Sequence, residues 1–254
     1  MGCSNQRQAR PVVPPRRPAA PGRVIHARIP ADMPPSTTKS TTRPGRKFDP
    51  QCRDCQRLVA FREDVQMRHP KYHCRPVRPF GERGAHLLIV GLAPGKHGAN
   101  ATGRPFTGDF AGQLLYATLH RFGFASQPVA AHARDGLRLI GCRVTNAVKC
   151  LPPDNKPVGA EIAACNSYLR SELSELPAGN VVLALGTIAH NAVLRALTLP
   201  LSAHRFGHGT LHELPSRYRL LDSYHCSRYN TQTRRLTPAM FEDVLRRARE
   251  MLDQ

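Results

Sequence analysis

A chain of 254 residues has room for one well-buried domain with a tail, or for two small domains, and its 37 Lys and Arg against 18 Asp and Glu give a formal charge of +19. That excess, on a chain that is 41% hydrophobic, points to a polyanionic partner such as nucleic acid, with an anionic membrane surface as the competing reading. Eight cysteines fall short of the density of a secreted disulfide scaffold, and no apolar run approaches the roughly 18 to 20 residues of a spanning helix.

Residues 1–47 hold Pro14-Pro15, Pro34-Pro35, the Arg16-Arg17 pair and a Ser/Thr run over 36–42, without a sustained apolar period. Such a segment cannot bury enough surface to offset the entropy of ordering it, so a disordered, basic, Pro-rich tail is expected. Ten Lys and Arg against two Asp put a charge of +8 on residues 1–50 and leave +11 on the remainder. The tail suits a solvated leader or a nonspecific DNA-tethering arm equally well. Its start, Met1-Gly2-Cys3-Ser4-Asn5-Gln6, approaches a myristoylation signal, but Gln6 stands where Ser or Thr is wanted. With no charged-then-apolar leader, the expectation is a cytoplasmic, nucleoid-associated protein without a membrane partner.

From Phe48 onward, short β-rich apolar runs alternate with helical stretches, and residues 48–254 are read as one domain. Strands are expected at 86–91, 144–148, 181–186 and 218–224. Helices are expected near 112–122, 160–173 and 188–197, and a last one opens with Thr237 as cap and Pro238 at its first position. This alternation predicts an α/β fold: a three-layer α/β/α sandwich around a central, mostly parallel four-stranded sheet. Ligands of such sheets bind outside the carboxyl ends of the strands, where the unusual loops of this chain fall.

The loop after the first strand runs from Gly91 to Asp109, with glycines at 91, 95, 98, 103 and 108 and positive charge from Lys96 and Arg104. Backbone so free of side chains approaches an anion or carbonyl closely, which reads as an anion cradle; a merely long connection has the same glycines. After the last strand, His225-Cys-Ser-Arg-Tyr-Asn-Thr-Gln-Thr-Arg-Arg-Leu-Thr237 places a histidine at a strand end beside Arg228, Tyr229, Arg234 and Arg235. That histidine suits a donor to a developing anion, flanked by a DNA-contacting wedge. Cys52-x2-Cys55 and Cys150-x14-Cys165 together make four thiols that can close one tetrahedral metal or cluster site. Spacing alone leaves zinc, iron–sulfur and two unliganded pairs all open.

Gly91-Leu-Ala-Pro-Gly95, Gly103-Arg-Pro-Phe-Thr-Gly-Asp109, Thr145-Asn-Ala-Val-Lys-Cys150 and the His225 loop, in this order, resemble the signatures of the uracil-DNA glycosylase superfamily. The resemblance is greatest to its iron–sulfur branch of type b, or family 5, and covers about residues 48–252. It implies an enzyme that extrudes uracil, and possibly other deaminated or damaged bases, from DNA and hydrolyses the N-glycosidic bond, leaving an abasic site. Phe106 would stack on the extruded base and Asn146 would bond the pyrimidine edge, in a pocket that includes Gly91 and Ala93. His225 would donate to O2 of the departing base. The resemblance also assigns Cys52, Cys55, Cys150 and Cys165 to a structural [4Fe–4S] cluster, while Cys3, Cys74, Cys142 and Cys226 match no ligand position.

Two departures matter. Ala93 stands where other branches carry a water-activating Asp, and Leu92 where the sister iron–sulfur branch carries an acid, both as is typical of family 5. Water positioning then falls to Asn100 or Asp109, although Asp109 reads equally as a helix cap. DNA contacts fall to Arg228, Tyr229 and Arg234, and a monomer is expected. The alternatives are a catalytically silent binder of damaged or single-stranded DNA with the same fold, and a zinc protein of that fold.

Overall fold

The computed structural model describes residues 45–215 and 218–254, so all of the expected tail except its last three residues lies outside the described part. Four strands run parallel at the centre: β2 (Leu87–Gly91), β3 (Cys142–Asn146), β4 (Val181–Leu185) and β6 (Arg219–Ser223). Two short antiparallel strands, β1 (Phe80–Gly81) and β5 (Leu211–Glu213), close the edges, giving the order β1-β3-β2-β4-β6-β5. The expected parallel core is therefore flanked by two additional edge strands. With two and three residues, these are too short to display an alternating pattern in the sequence.

The central strands are buried on both faces, as their continuous apolar composition requires. Leu87 and Ile89 face a core built with Leu115, Tyr116 and Leu119 of α3 (Phe110–Arg121) and with Phe241, Val244 and Leu245 of α7 (Pro238–Leu252). Leu88 and Val90 face the opposite core, shared with Ile162 and Leu169 of α4 (Gly159–Ser174) and Ala189 and Val193 of α5 (Thr187–Ala196). The period of two along β2 thus divides its side chains between the outer layers. Leu58 of α1 (Gln56–Arg68), a helix the apolar pattern does not announce, joins the second core. Thr237 caps α7 by accepting from the Met240 amide, with Pro238 at the first turn.

One buried network braces β6. His190 Nδ1 meets Asp222 Oδ1 at 2.8 Å, His212 Nε2 meets Asp222 Oδ2 at 3.1 Å, and His190 Nε2 faces the His204 carbonyl at 2.9 Å. Because a carbonyl only accepts, His190 must donate from Nε2, and its bond to the carboxylate then needs a second ring proton. Burial, the largest single effect, lowers the His190 pKa, but the Asp222 bond and charge together with the His204 carbonyl outweigh it and raise the pKa on balance. These donor atoms satisfy one another, and the set works as a hydrogen-bonded tie among α5, β5 and β6 just before His225.

Candidate active site

In the β2–β3 ladder Gly91 pairs with Asn146, which puts both at the carboxyl end of the sheet. A Cβ on residue 91 would stand 2.5 Å from Asn146 Oδ1 and 2.5 Å from Phe106 Cζ, so only glycine lets these two groups converge. The Asn146 Oδ1 atom is buried and has no hydrogen-bond partner. Phe106 holds a left-handed backbone (φ 51°), a conformation an aromatic residue keeps only when its surroundings enforce it. Tyr116 Oη donates to the Pro105 carbonyl at 2.7 Å on one side of that turn. On the other, Arg104 Nε donates to Thr107 Oγ1 at 2.8 Å.

Arg104 does not face a ligand, contrary to its expected part in an anion cradle. Its guanidinium makes bidentate bonds of 2.8 and 2.6 Å to Asp135, and both side chains are buried. The Arg104 hydrogen bond holds the Asp135 carboxyl far below the usual carboxylate range. A planar guanidinium suits this fork, and it fastens the Phe106 turn to the 131–137 loop.

Asp109 does two things at once. Its Oδ1 accepts from the Gly112 amide at 2.9 Å, capping α3, while the residue also lines the cavity beside Phe106. Burial raises its pKa, and the amides of Gly112 and Ala111 pull it back. Asn100, the other expected water-positioning residue, is fully buried in the short helix α2 (Ala99–Thr102) and turned away: its Nδ2 donates to Cys74 Sγ at 3.3 Å, and Ala99 takes its place in the cavity wall. The helical turn imposes this, since Ala99 and Asn100 point in different directions around it.

His225 leaves β6 with its ring centroid 5.9 Å from that of Phe106 and the planes inclined by 30°. Burial alone lowers its pKa to about 4, so the imidazole is neutral near pH 7. Cys226 beside it is fully buried, and Asn230 Nδ2 donates to the His225 carbonyl at 2.8 Å, from the short helix α6 (Arg228–Gln232). The chain after the histidine is thus anchored by the Asn230 carboxamide.

Leu92, Ala93, Phe106, Asp109, Asn146 and His225 together line one cavity of about 420 Å³. Arg228 stands in its wall with the guanidinium 5.2 Å from the Phe110 ring, and neighbouring Tyr229 is 71% exposed. Arg234 is exposed beyond the end of α6 and is not part of that wall. Asn155, in a left-handed turn (φ 56°), and Ser227 also line it; nothing in the sequence singles them out beyond turn-forming and capping residue types.

The four expected ligand cysteines gather on the α4 side of the sheet. Cys150 and Cys165 are buried, and Cys52 and Cys55 pack half-buried against the same core. Burial, reinforced by the neighbouring thiols, pushes Cys55 up to about 11; burial also pushes Cys150 up to about 12. Arg62 Nη1 donates to Cys150 Sγ at 3.4 Å and its Nη2 to the Cys52 carbonyl at 2.9 Å, while Arg46 Nη2 lies 3.9 Å from Cys52 Sγ. Cys55, Cys150 and Cys165, with their pKa raised, stay thiols when unliganded, and the four cysteines beside two guanidinium donors are a set whose thiolate form a bound metal cluster would stabilise. Cys74, Cys142 and Cys226 are free and buried elsewhere.

Residues 78–249, which carry this sheet and the cavity at its carboxyl end, match the family model "Uracil DNA glycosylase superfamily". The chain is 49% identical to the type-5 uracil-DNA glycosylase of Thermus thermophilus over 205 residues, 79% of this chain and 93% of that one. It is 44% identical to the type-5 protein of Mycobacterium bovis (79% and 78% covered) and 41% identical to that of Pyrobaculum aerophilum (78% and 87% covered). The protein belongs to the uracil-DNA glycosylase superfamily and, within it, to the type-5 family.

Proposed function

We propose that the protein removes uracil, and with it other deaminated or damaged bases, from DNA by hydrolysing the N-glycosidic bond. The observation that carries this reading is the meeting of Phe106, Asn146 and His225 around one cavity. An extruded pyrimidine stacks on Phe106 and replaces the stacking it loses in the duplex. The unpartnered Asn146 Oδ1 accepts the N3–H that distinguishes uracil from cytosine. His225 donates to O2, where negative charge grows as the bond to the sugar breaks. Asp109 orients the attacking water. Arg228 and Tyr229 contact DNA at the rim, and Arg234 reaches backbone phosphates farther out.

No lysine is asked to form a Schiff base, so the product is an abasic site in an intact strand. Cys52, Cys55, Cys150 and Cys165 would hold a [4Fe–4S] cluster, which supplies bracing rather than redox chemistry. Residues 48–254 form the catalytic domain of a monomer, and the basic segment 1–47 tethers it to DNA in the nucleoid. Among the described residues no helix is long and apolar enough to cross a membrane.

Incubation with oligonucleotides containing uracil, hypoxanthine or etheno bases, followed by alkali, tests the reading. Alkali cleavage at the lesion is expected; strands that stay whole on every substrate overturn it, and DNA affinity retained without release identifies a silent binder. Gly91→Ala, which forces Phe106 and Asn146 apart, is expected to lower kcat/KM for uracil by about a hundredfold, the cost typical of a misplacement near 1 Å. Single-turnover kinetics read this directly.

A further inference from the structure

We propose that Lys149, paired with Glu172, is a positioning residue that couples the cysteine-lined wall to the base-reading Asn146 and so helps set which base is released. The inference rests on the glycosylase reading above. Lys149 is 1% exposed. Its Nζ donates to Thr145 Oγ1 at 2.6 Å and to the Asn146 carbonyl at 2.9 Å, and it lies 2.7 Å from a Glu172 carboxylate oxygen as an ion pair. Two of the three ammonium protons are thus directed at the end of β3, while the Glu172 carboxylate balances the buried charge.

The rest of the residue faces the other way. Its backbone amide donates to the Cys165 sulfur, its carbonyl accepts from the Val77 amide at 2.7 Å, and Cys150 follows it in the chain. Glu172 lies on α4, the helix that also carries Cys165. One side chain therefore ties the strand end bearing Asn146 to the helix and the turn that hold two of the four thiols. A buried ion pair is commonly replaced by apolar residues of similar size without loss of stability, so stability alone gives no reason for this one. What apolar side chains cannot supply is a directional bond to the Asn146 carbonyl, and hence the aim of its carboxamide into the cavity.

The test compares the wild-type holoprotein with Lys149→Met/Glu172→Leu, which removes both charges at similar volume and leaves neither unpaired. Iron content, affinity for an abasic-analogue duplex, and kcat/KM for uracil and hypoxanthine are measured. The expected result is unchanged iron and DNA affinity within about threefold, with the uracil-to-hypoxanthine ratio of kcat/KM altered roughly tenfold, the scale of one hydrogen bond. Full iron content with an unaltered ratio overturns the proposal. Where the double variant loses iron, Lys149→Arg, which keeps a cation beside Glu172 but moves the donor off the Asn146 carbonyl, is read instead; a shifted ratio supports the proposal and an unchanged one overturns it. Should the wild type release no base, the glycosylase reading fails separately. The proposal is then judged by the side-chain amide resonances of Asn146, whose movement in the variant supports it and whose constancy overturns it.

Discussion

Replacing His225 with alanine is expected to cut base release by about two to three orders of magnitude while leaving DNA affinity nearly intact. The reason lies in when the imidazole acts. In the ground state the base is neutral, and one hydrogen bond to O2 contributes little net binding; as the glycosidic bond breaks, charge collects on that oxygen and the same donor strengthens. The pH dependence follows from burial. His225 binds a proton only near pH 4, so its neutral, single-donor form persists from about pH 5.5 upward, and the rate is expected to show no His225 ionisation between pH 5.5 and 9. Stability follows the same depressed pKa. Below about pH 6.5 the unfolded chain takes up a proton that native His225 refuses, so this residue's contribution to stability falls as pH falls toward 4. A ring titration by NMR and a pH–rate profile check both points, and an unchanged rate in His225→Ala removes the residue from the mechanism.

Cys150→Ser is expected to have the larger effect on the molecule itself, with loss of brown colour, of most soluble protein and of several kcal/mol of folding energy. Cys150 is buried against the second core and accepts from Arg62, so a serine there meets a guanidinium it cannot neutralise, in a wall missing one ligand. Cys142→Ala is the control. Cys142 is equally buried but belongs to the opposite core, so its variant keeps full iron content and loses only packing energy. A colourless, folded and fully active Cys150→Ser would remove the cluster from the folding argument.

Much of the pocket was legible because its residues sit where chain order makes them conspicuous. Gly91 ends a strand read from a β-rich apolar run, Asn146 lies inside the strand expected at 144–148 and ends it in the structure, and His225 follows another. Phe106 lies inside a glycine-punctuated loop. The misreadings came from residues whose type suggested one role while their direction decided another. Arg104 read as ligand-facing charge, yet it closes a buried fork with Asp135, 31 residues on, a partner that no local pattern indicates. Asn100 sits beside the correct position, but one step around a helical turn carries it from the cavity to Cys74. Lys149, in the turn between β3 and the thiols, shows no role in the sequence because its ion-pair partner, Glu172, comes from α4.

What the sequence determined by itself, then, was the layered sheet, the approximate places of its parallel core strands along the chain and the identity of the converging loops. Apolar runs, caps and glycines act over a few residues, and their physics is local. The tertiary structure alone decided which polar groups face the cavity and which are spent on one another. A hydrogen bond is directional over about 3 Å, and only packing brings partners from distant parts of the chain within that reach.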